Sequence, residues 1–438
     1  MESLLLIAFA IILITCVLSG YSMFIALFIG WSMFFFYGIH KGKKIKEMLS
    51  YCQNGISMVQ TVLITFMLIG MLTAVWRSCG SIAYIVYETS IFFAPQSMII
   101  LTFLLCALVS FLIGTAFGSA ATIGVICVTM ANSMNIPIIY TGGAMLAGIY
   151  FGDRCSPVST SCLLVSTLTH TDQLENIKTM FKTAAVPFII SCILYLLLGL
   201  QLPYTETSTA SRDLLATHYV MTPLTLLPII TVLVLALFRV NVKITLTIST
   251  LIGLILSVLV QGMPLSKIFP LLISGFTPEN SEIAMIMGGG GLISMLSVMG
   301  IVCISSSFSG MFEGTGFLDH IQKRIIILSD YLSPFGTILL VSILSATISC
   351  NQSLAIMLTN QLCHPLENDR AQFASDLENT AVVTAPLIPW SIADAVPLVT
   401  VGAPTLSILT AFYLFLVPLW NLLVQNLPLI KQKVRARI

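Results

Sequence analysis

The sequence has 438 residues, of which 57% are hydrophobic and 8% are charged, with a formal net charge of +1. A soluble domain carries roughly 25% charged residues, so this chain lacks the charge to cover a surface in water, and the lipid bilayer must be much of its solvent. The near-zero net charge, with no separate basic domain, argues against a nucleic-acid partner. The composition therefore predicts an all-α polytopic membrane protein.

Apolar runs long enough to cross about 30 Å of hydrocarbon recur along the chain. The first run follows the acidic Glu2 and leads almost directly into the second, so we interpret it as a retained helix and not as a cleaved signal peptide. The predicted spans are 4–19, 21–39, 59–76, 97–113, 183–202, 221–238, 244–260, 283–304, 334–349 and 404–426. Apolar segments interrupted by Gly, Ser, Thr and Pro at 114–168 and 350–402 bring the expected count to about ten to thirteen crossings.

Basic residues gather between these spans, and the positive-inside rule assigns such clusters to the cytoplasm. The clusters are Lys41, Lys43, Lys44 and Lys46; Lys178 and Lys182; Arg239 and Lys243; Lys323 and Arg324; and Lys431, Lys433, Arg435 and Arg437. The sequence therefore predicts a multi-pass protein of the plasma (inner) membrane, with both termini cytoplasmic and residues 203–218 outside.

Three weak similarities suggest an internal repeat. Trp76–Gly80 resembles Phe312–Gly316, Ser119 corresponds to Asn351, and Cys155–Val158 corresponds to Thr384–Leu387. The members of each pair are separated by nearly the same length of chain. Because the first half begins inside and the second begins outside, the halves are predicted to be inverted repeats. We therefore divide the chain into a first repeat, 1–202, an external loop, 203–220, and a second repeat with a basic tail, 221–438.

The two interrupted segments concentrate polar groups at the predicted membrane depth. Proline removes a backbone donor and glycine lets the helix unwind, so both segments are expected to contain broken or re-entrant helices. Unpaired backbone cannot face lipid, so these breaks must line an enclosed cavity, where the repeats meet near the midplane. Freed carbonyls, hydroxyls and a carboxylate suit a small cation, whereas half-helix N-termini suit an anionic group.

Asp153 is the strongest candidate for an ion-binding residue. It follows an apolar run and precedes the break at Pro157, and an intramembrane carboxylate costs roughly +2.5 to +3.5 kcal/mol on insertion scales. The structural alternative is that Asp153 only pairs with a basic neighbour such as Arg154. Glu378 opens the equivalent break in the second half, or else is a solvated loop end. Ser119 and Asn351 are equally compatible with structural hydrogen bonds.

Other features carry less information. The run Gly288–Gly291 predicts a close helix contact or a hinge, and no Lys-Ser/Thr follows it to form a phosphate-binding loop. Glu88 and Asp394 are isolated acidic residues in apolar stretches, with no spacing that assigns them a role. We therefore predict no cofactor.

Three ordered stretches resemble the NhaC-type sodium/proton antiporters. Residues 114–124 are similar to the G-T-x-x-G-x-x-x-T-x-G stretch of that family, and 151–159 to its F-G-D-x-x-S-P-x-S motif. Leu377–Thr380 with Pro386–Trp390 resembles its L-E-D-S-G…P-L-I-P-W segment. The resemblance spans at least 100–400 and implies two inverted repeats, coupling to Na⁺ or H⁺, and alternating access.

Two departures from the family pattern remove acidic residues. Thr160 and Asn379 stand where the family motifs carry Asp. A site without those two carboxylates binds a bare cation less strongly. Since the family also includes carriers of organic acids and amino acids, the resemblance leaves the cargo open.

The combined prediction is a secondary active Na⁺/H⁺ antiporter and not an enzyme, with no catalytic residues. Asp153 binds Na⁺ and H⁺ in competition, and burial makes both states reachable. The predicted site residues are Asp153, Ser156, Ser159, Asn351, Glu378, Thr384, Ser119 and Arg154, with Asp153, Ser156 and Asn351 as Na⁺ ligands.

Three other functions compete with this prediction. The closest is a Na⁺- or H⁺-coupled carrier of a small organic solute, whose carboxylate Arg154 and half-helix N-termini would hold. An intramembrane aspartyl protease is disfavoured because Tyr150 stands where its G-x-G-D motif needs Gly, and a passive channel because no filter-forming ring is evident. The oligomeric state is left open, with a homodimer as one arrangement.

Overall fold

The structure is a computed structural model that describes residues 2–19, 23–89, 94–202, 209–238, 240–317, 332–349, 351–366 and 369–435. Within these ranges the chain is nearly all helical, and one isolated β-bridge pairs Phe276 with Gly289. This confirms the predicted all-α class. Residues 203–208 of the predicted external loop lie outside the described residues, as do the basic sites Arg239, Lys323, Arg324 and Arg437.

The helices are numbered in chain order. The first half contains α1 (Glu2–Leu18), α2 (Met23–His40), α3 (Ile45–Met58), α4 (Gln60–Ser78), α5 (Ser81–Thr89), α6 (Pro95–Ile113), α7 (Ala116–Ser119), a π-helix (Ala120–Gly124), α8 (Val125–Ser133), α9 (Ile138–Cys155), α10 (Thr160–Thr169) and α11 (Gln173–Leu200). The remainder contains α12 (Thr209–His218), α13 (Leu227–Leu237), α14 (Val242–Leu259), α15 (Ile268–Ser274), α16 (Ser281–Met287), α17 (Leu292–Thr315), α18 (Pro334–Ser349), α19 (Gln352–Cys363), α20 (Arg370–Asn379), α21 (Ala381–Thr384), α22 (Ile392–Val401) and α23 (Phe412–Arg435). Short 3₁₀ turns cover Pro223–Leu226, Leu265–Lys267, His364–Leu366, Ala385–Leu387 and Thr405–Thr410.

By length and composition, five helices of the described chain are suited to cross a membrane: Pro95–Ile113, Ala116–Ser133, Gln173–Leu200, Val242–Leu259 and Leu292–Thr315. The number rises to seven if each of two bent pairs is one span, Ile45–Ser57 with Val62–Ser78, bent by 49°, and Arg370–Leu387 with Ile392–Val401, bent by 53°. The predicted spans 221–238 and 334–349 contain shorter apolar helices. The chain is therefore a multi-pass membrane protein, and its described residues contain fewer long apolar helices than the spans predicted from hydropathy.

Both interrupted segments contain real helix breaks. In the first, α6 ends at Gly114, whose φ of 75° is left-handed, and α9 ends before an extended Ser156. In the second, an extended Asn351 begins α19, and Thr380 interrupts the helix with φ −123° and ψ −83°. The π-helix at Ala120–Gly124 adds a further irregularity, of a kind often found at functional sites.

The glycine run at 288–291 forms a close helix contact, one of its two predicted roles. The Gly291 N–H donates a 2.6 Å hydrogen bond to the Gly70 carbonyl on α4. A Cβ at Gly290 would lie 2.5 Å from the backbone nitrogen of Ala74, and the φ of +78° there also requires glycine. This contact brings the start of α17 directly against α4.

Helix α9, which carries Asp153, is fixed closely against α6. A Cβ at Gly152 would lie 2.3 Å from the backbone nitrogen of Phe111, so only glycine allows this approach. The Ser110 hydroxyl on α6 donates a 2.5 Å hydrogen bond to the Ile149 carbonyl. The C-terminal end of α9 is therefore held rigidly where the chain breaks.

The short helices that follow the two breaks pack across the molecule in a reciprocal way. Helix α10 of the first half packs on α19 and α20 of the second, with Val165 in one apolar cluster with Ile356 and Leu377. Helix α22 of the second half packs on the π-helix, α8 and α9 of the first. The two broken segments therefore meet, as the sequence predicts.

Candidate ion and substrate site

Asp153 lies two residues before the end of α9 and is 4% exposed. The Ser161 hydroxyl donates to its Oδ2 at 3.0 Å, and the Ser159 hydroxyl lies 3.4 Å from its Oδ1. Ser159 also begins α10, where its side chain accepts the backbone N–H groups of Ser161 and Cys162. The break thus turns the chain so that the first hydroxyls of α10 point back at the carboxylate.

The second half of the chain also reaches Asp153. The side-chain amide of Gln352 interacts with the carboxylate, as does the backbone N–H of Ala116. Gln352 is positioned by a 3.0 Å hydrogen bond from its Nε2 to the Val382 carbonyl. Among the described residues, no basic nitrogen lies within 4.0 Å of the Asp153 carboxylate. The alternative in which Asp153 simply pairs with Arg154 therefore does not describe this structure.

Arg154 is fully buried and points away from Asp153 into a set of neutral oxygens. Its Nη1 donates to the Tyr413 hydroxyl at 2.9 Å, and its Nη2 donates to Thr183 Oγ1 at 3.0 Å and to Asn379 Oδ1 at 2.5 Å. The Nε–H has no hydrogen-bond partner among the described residues. Arg154 is thus a buried cation whose hydrogen bonds all go to uncharged groups.

Glu378 is the second buried carboxylate of this region. It is fully buried on α20, which excludes the solvated loop end considered from the sequence. Neither of its carboxylate oxygens has a hydrogen-bond partner in the described part of the chain. Its electrostatic neighbours are Arg154 and Asp153, although no Arg154–Glu378 nitrogen–oxygen distance falls within 4.0 Å. The three charged groups form one loosely coupled cluster across the two halves.

Two of the predicted hydroxyl ligands are engaged in local backbone bonds. The Ser156 hydroxyl accepts the Val158 N–H at 3.3 Å and closes the turn after α9. The Ser119 hydroxyl donates to the Thr115 carbonyl at 2.8 Å, one turn earlier in its own helix. Both side chains stabilise the breaks, and neither makes a hydrogen bond to Asp153.

The predicted residues Asn351 and Thr384 likewise contact other groups. The Asn351 side chain accepts the Leu354 N–H at 3.3 Å and caps α19. Thr384 donates to the Ser342 hydroxyl at 3.4 Å. Of the predicted set, the structure gathers Asp153, Ser159, Arg154 and Glu378 in one place, and holds Ser156, Ser119, Asn351 and Thr384 at the surrounding breaks.

Several contacting side chains were not singled out from the sequence. Ser161 lies two residues after Ser159 in the first turn of α10, and a helix-capping argument finds Ser159 but not the direction of the Ser161 hydroxyl. Gln352, Thr183 and Tyr413 carry no such signal, because their contacts with Asp153 and Arg154 arise between distant parts of the chain.

A cavity lies beside each break. The first, of about 260 Å³, is lined by Ile113, Gly118, Thr122 and Val158 together with residues of α14. The second, of about 240 Å³, is lined by Ser349, Asn351, Ser353 and Leu354 together with residues of α3, α4 and α17. Ile113 with Ser349, and Gly118 with Leu354, have the same separation along the chain as Gly80 and Gly316, a pair on which the predicted repeat rests.

The donor set defines which ion the region suits. In the described part of the chain, no group of three His, Cys, Asp or Glu side chains could hold a metal ion. An ion at Asp153 would instead have one carboxylate, the hydroxyls of Ser159 and Ser161, and nearby backbone oxygens. Hard oxygen ligands with one negative charge fit a monovalent cation such as Na⁺.

A buried carboxylate at a helix break, facing a second broken segment in a multi-pass chain, is the arrangement of an ion-coupled secondary transporter. Residues 148–424, more than half of the chain, match the Na⁺/H⁺ antiporter family, and the chain belongs to that family. The match confirms the resemblance to NhaC-type antiporters and makes this a member of a transporter family.

Three relatives illustrate the range of the family. The Na⁺/H⁺ antiporter NhaC of Alkalihalophilus pseudofirmus is 27% identical, covering 81% of this chain and 79% of its own. The malate-2H⁺/Na⁺-lactate antiporter of Bacillus subtilis is 25% identical over 84% and 81%. The arginine/ornithine antiporter ArcD of Halobacterium salinarum is 27% identical over 84% and 78%. Similar identity to all three means that overall similarity does not select the cargo.

Proposed function

We propose that this protein is a secondary active transporter that exchanges Na⁺ for H⁺, with Asp153 as the carboxylate that binds them in turn. The observation that carries the proposal is the environment of Asp153. Its carboxylate is buried at a helix break, receives a hydrogen bond from the Ser161 hydroxyl, and has no cation within 4.0 Å among the described residues. A buried carboxylate without a fixed counter-ion is stabilised by binding either a proton or a cation.

The serine hydroxyls suit both states. A hydroxyl can donate to the ionised carboxylate or turn its oxygen lone pairs toward a cation or a carboxylic-acid proton. The short bond between the Ser159 and Ser161 hydroxyls, 2.8 Å, lets the pair reorient together. Competition at one carboxylate then makes the binding of Na⁺ and H⁺ mutually exclusive, which is the minimal requirement for exchange.

The arrangement of the breaks supports two inverted repeats and alternating access. Thr115 and Asn351 each precede a helix, and the two residues have nearly the same backbone angles, φ −140° and ψ 128° for Thr115 and φ −145° and ψ 133° for Asn351. Their separation along the chain equals that of Gly80 and Gly316. Ser159 and Ser391, at a similar separation, both begin a short helix by accepting backbone N–H groups. If the repeats are inverted, the cavities beside the two breaks open toward opposite faces of the membrane.

The proposed orientation places both termini in the cytoplasm and residues 203–220 outside, in the plasma membrane. Single cysteines at Lys44 and Asp213, both exposed, test it in a variant that lacks the native cysteines. An impermeant maleimide should label Asp213→Cys in intact cells and Lys44→Cys only after permeabilisation. Labelling of the Lys44 position from outside would reverse the topology.

The exchange is tested with purified protein in vesicles that enclose a pH-sensitive dye. An inward Na⁺ gradient should drive proton efflux, and parallel trials with Li⁺, K⁺ and organic solutes define the specificity. Empty vesicles and vesicles treated with an H⁺/Na⁺ ionophore set the limits of the signal. If no monovalent cation moves protons in the absence of a solute, Na⁺/H⁺ exchange is not the activity.

A second candidate, cation-coupled exchange of a small organic anion, is favoured by Arg154. Its hydrogen bonds all go to neutral oxygens, and its Nε–H is without a partner in the described chain, so it could hold a carboxylate. Relatives named for malate with lactate and for arginine with ornithine occur at similar identity. Solute uptake that requires a Na⁺ gradient and that competes with unlabelled dicarboxylates or amino acids would select this function.

A further inference from the structure

Asp394 is a third buried carboxylate, separate from the cluster around Asp153 and Arg154. It is the third residue of α22 and is fully buried. Neither of its carboxylate oxygens has a hydrogen-bond partner within the described ranges. A buried carboxylate in a folded protein normally has hydrogen-bond partners, so a carboxylate without a partner on either oxygen requires a functional explanation.

The surroundings of Asp394 supply no counter-ion. Helix α22 packs against α4, α7, α8, α9, α17, the π-helix and the 3₁₀ turns at Ala385–Leu387 and Thr405–Thr410. The charged or titratable side chains on these elements are Arg77, Cys127, Tyr140, Tyr150, Asp153, Arg154, Cys155, Cys303 and Glu313. None of them makes an ion pair or hydrogen bond with Asp394 within the described ranges, and the basic Arg77 instead donates to the Gly288 carbonyl at 3.0 Å. A dry site with neither a cation nor a donor favours the neutral carboxylic acid.

Tyr150 joins the helix that carries Asp153 to the helix that carries Asp394. It is fully buried and its hydroxyl donates a 2.6 Å hydrogen bond to the carbonyl of Ala393, the residue that precedes Asp394. It lies three residues before Asp153 on α9, so the two side chains occupy the same side of that helix. Tyr150 therefore belongs to α9, before the first break, and contacts α22, after the second break.

We propose that Asp394 is a second proton-binding site of the transport cycle, linked to Asp153 through Tyr150, so that two protons exchange for each cation. This rests on the proposed Na⁺/H⁺ exchange. In the present conformation Asp394 holds its proton. When α22 reaches water on one face, the O–H bond breaks and the proton passes to water, and the carboxylate is protonated again from the other face. Two protons against one Na⁺ make the cycle move net charge.

The alternative is that Asp394 is permanently protonated and serves only as a neutral packing group. Asp394→Asn separates the two, because the amide keeps the shape of the neutral acid and cannot release a proton. Asp376→Asn is the matched control. Asp376 is also a buried acid of the second half, but its Oδ1 accepts two amide donors, from Gln372 and Gln425, each at 2.8 Å.

The experiment measures the proton-to-sodium ratio in vesicles with the membrane potential clamped at zero by K⁺ and valinomycin. At a pH difference of one unit, net proton flux stops at about a 100-fold Na⁺ gradient for two protons and at about a tenfold gradient for one. Wild type and Asp376→Asn should balance at the higher gradient, and Asp394→Asn at the lower.

Each outcome decides between the two proposals. An Asp394→Asn variant that balances at the wild-type gradient would show that Asp394 is only structural. A wild-type ratio of one would also overturn the second proton site, however the variants behave. If Asp394→Asn cannot be purified, the smaller Asp394→Ser tests the same point. Absence of any Na⁺-driven proton flux in wild type would instead refute the proposed exchange itself.

Discussion

Arg154 donates a 2.5 Å hydrogen bond to the side-chain oxygen of Asn379, and this contact joins the helix that carries Asp153 to the helix that carries Glu378. The two residues are 225 positions apart, on α9 before the first break and at the end of α20 before the second. The NhaC-type motif has Asp at the position of Asn379, where it would form an ion pair with Arg154. In this chain the amide holds the guanidinium in place without neutralising it, so its charge stays available to Glu378 or to a bound anion.

Replacing Arg154 tests whether this contact holds the two halves together. Arg154→Gln removes the hydrogen bonds to Tyr413, Thr183 and Asn379 and should destabilise the purified protein by about 3 kcal/mol. Hydrogen bonds to charged groups contribute roughly 1.5–3 kcal/mol each, and the three contributions are not fully additive. Thermal unfolding in detergent measures the change. Lys178→Gln, which removes an exposed ion pair with Glu175, is the control and should leave the Tm unchanged. Equal Tm values for both variants would mean that Arg154 is not a structural link.

Restoring the acidic residue of the family pattern tests the charge of Arg154. Asn379→Asp should form an ion pair with the guanidinium and preserve or raise the Tm, because the new charge has a buried partner at hydrogen-bond distance. If Arg154 holds an organic anion, the same change should weaken solute binding by about tenfold or more while leaving Na⁺ binding intact. Isothermal titration with candidate dicarboxylates and amino acids measures it. Unaltered affinity for a solute that binds the wild type would exclude Arg154 from the solute site.

Removing the titratable charge of Asp153 should abolish exchange. Asp153→Asn keeps the size and most hydrogen bonds of the side chain, so expression and Tm should survive, but a neutral amide neither releases a proton nor attracts a cation strongly. Proton flux driven by a Na⁺ gradient in vesicles measures the loss. Glu175→Gln, a substitution at an exposed residue, is the control for effects of purification and reconstitution. Wild-type turnover with unchanged pH dependence in purified Asp153→Asn would move the ion site to Glu378 or its neighbours.

Two serines near the first helix break, Ser156 and Ser161, should differ in their effect on ion affinity. Ser161 donates to Asp153 at 3.0 Å, whereas Ser156 accepts a backbone N–H from Val158. Ser161→Ala should weaken apparent Na⁺ affinity by about tenfold, as expected for the loss of roughly 1.4 kcal/mol from a charged hydrogen bond. Ser156→Ala should change affinity much less and lower the Tm instead. The Na⁺ concentration for half-maximal exchange separates the two, and a larger affinity loss in Ser156→Ala would contradict the observed geometry.

Much of the architecture follows from local properties of the sequence. Hydropathy identifies a multi-pass membrane protein, because the cost of placing charge in lipid acts on every segment independently. Gly114, Pro157 and Pro386 mark the interrupted segments, because glycine, which lacks a Cβ, lets the backbone leave the helical conformation, and proline, which lacks an N–H, removes a helix hydrogen bond. Asp153 stands out for the same local reason, as an isolated charge in an apolar run. Three ordered motifs were enough to predict the family.

Tertiary structure decided which polar groups meet. Whether the hydroxyl of Ser156 or that of Ser161 faces Asp153 depends on the turn at the break. A serine one or two positions further along the chain would have its hydroxyl pointing in another direction. The partners of Arg154 lie on α11, α20 and α23, and the contact of Tyr150 with Ala393 joins distant parts of the chain, so no local pattern encodes them. The isolated Asp394 had no assignable role in the sequence, because its lack of partners is a property of the packed helices around it. The sequence by itself determined where helices break and that Asp153 is a charge within an apolar run, since these depend on single residues and their solvent, whereas the burial of Glu378 follows from the packing. Only the packing of the two halves decided how those charges are shared.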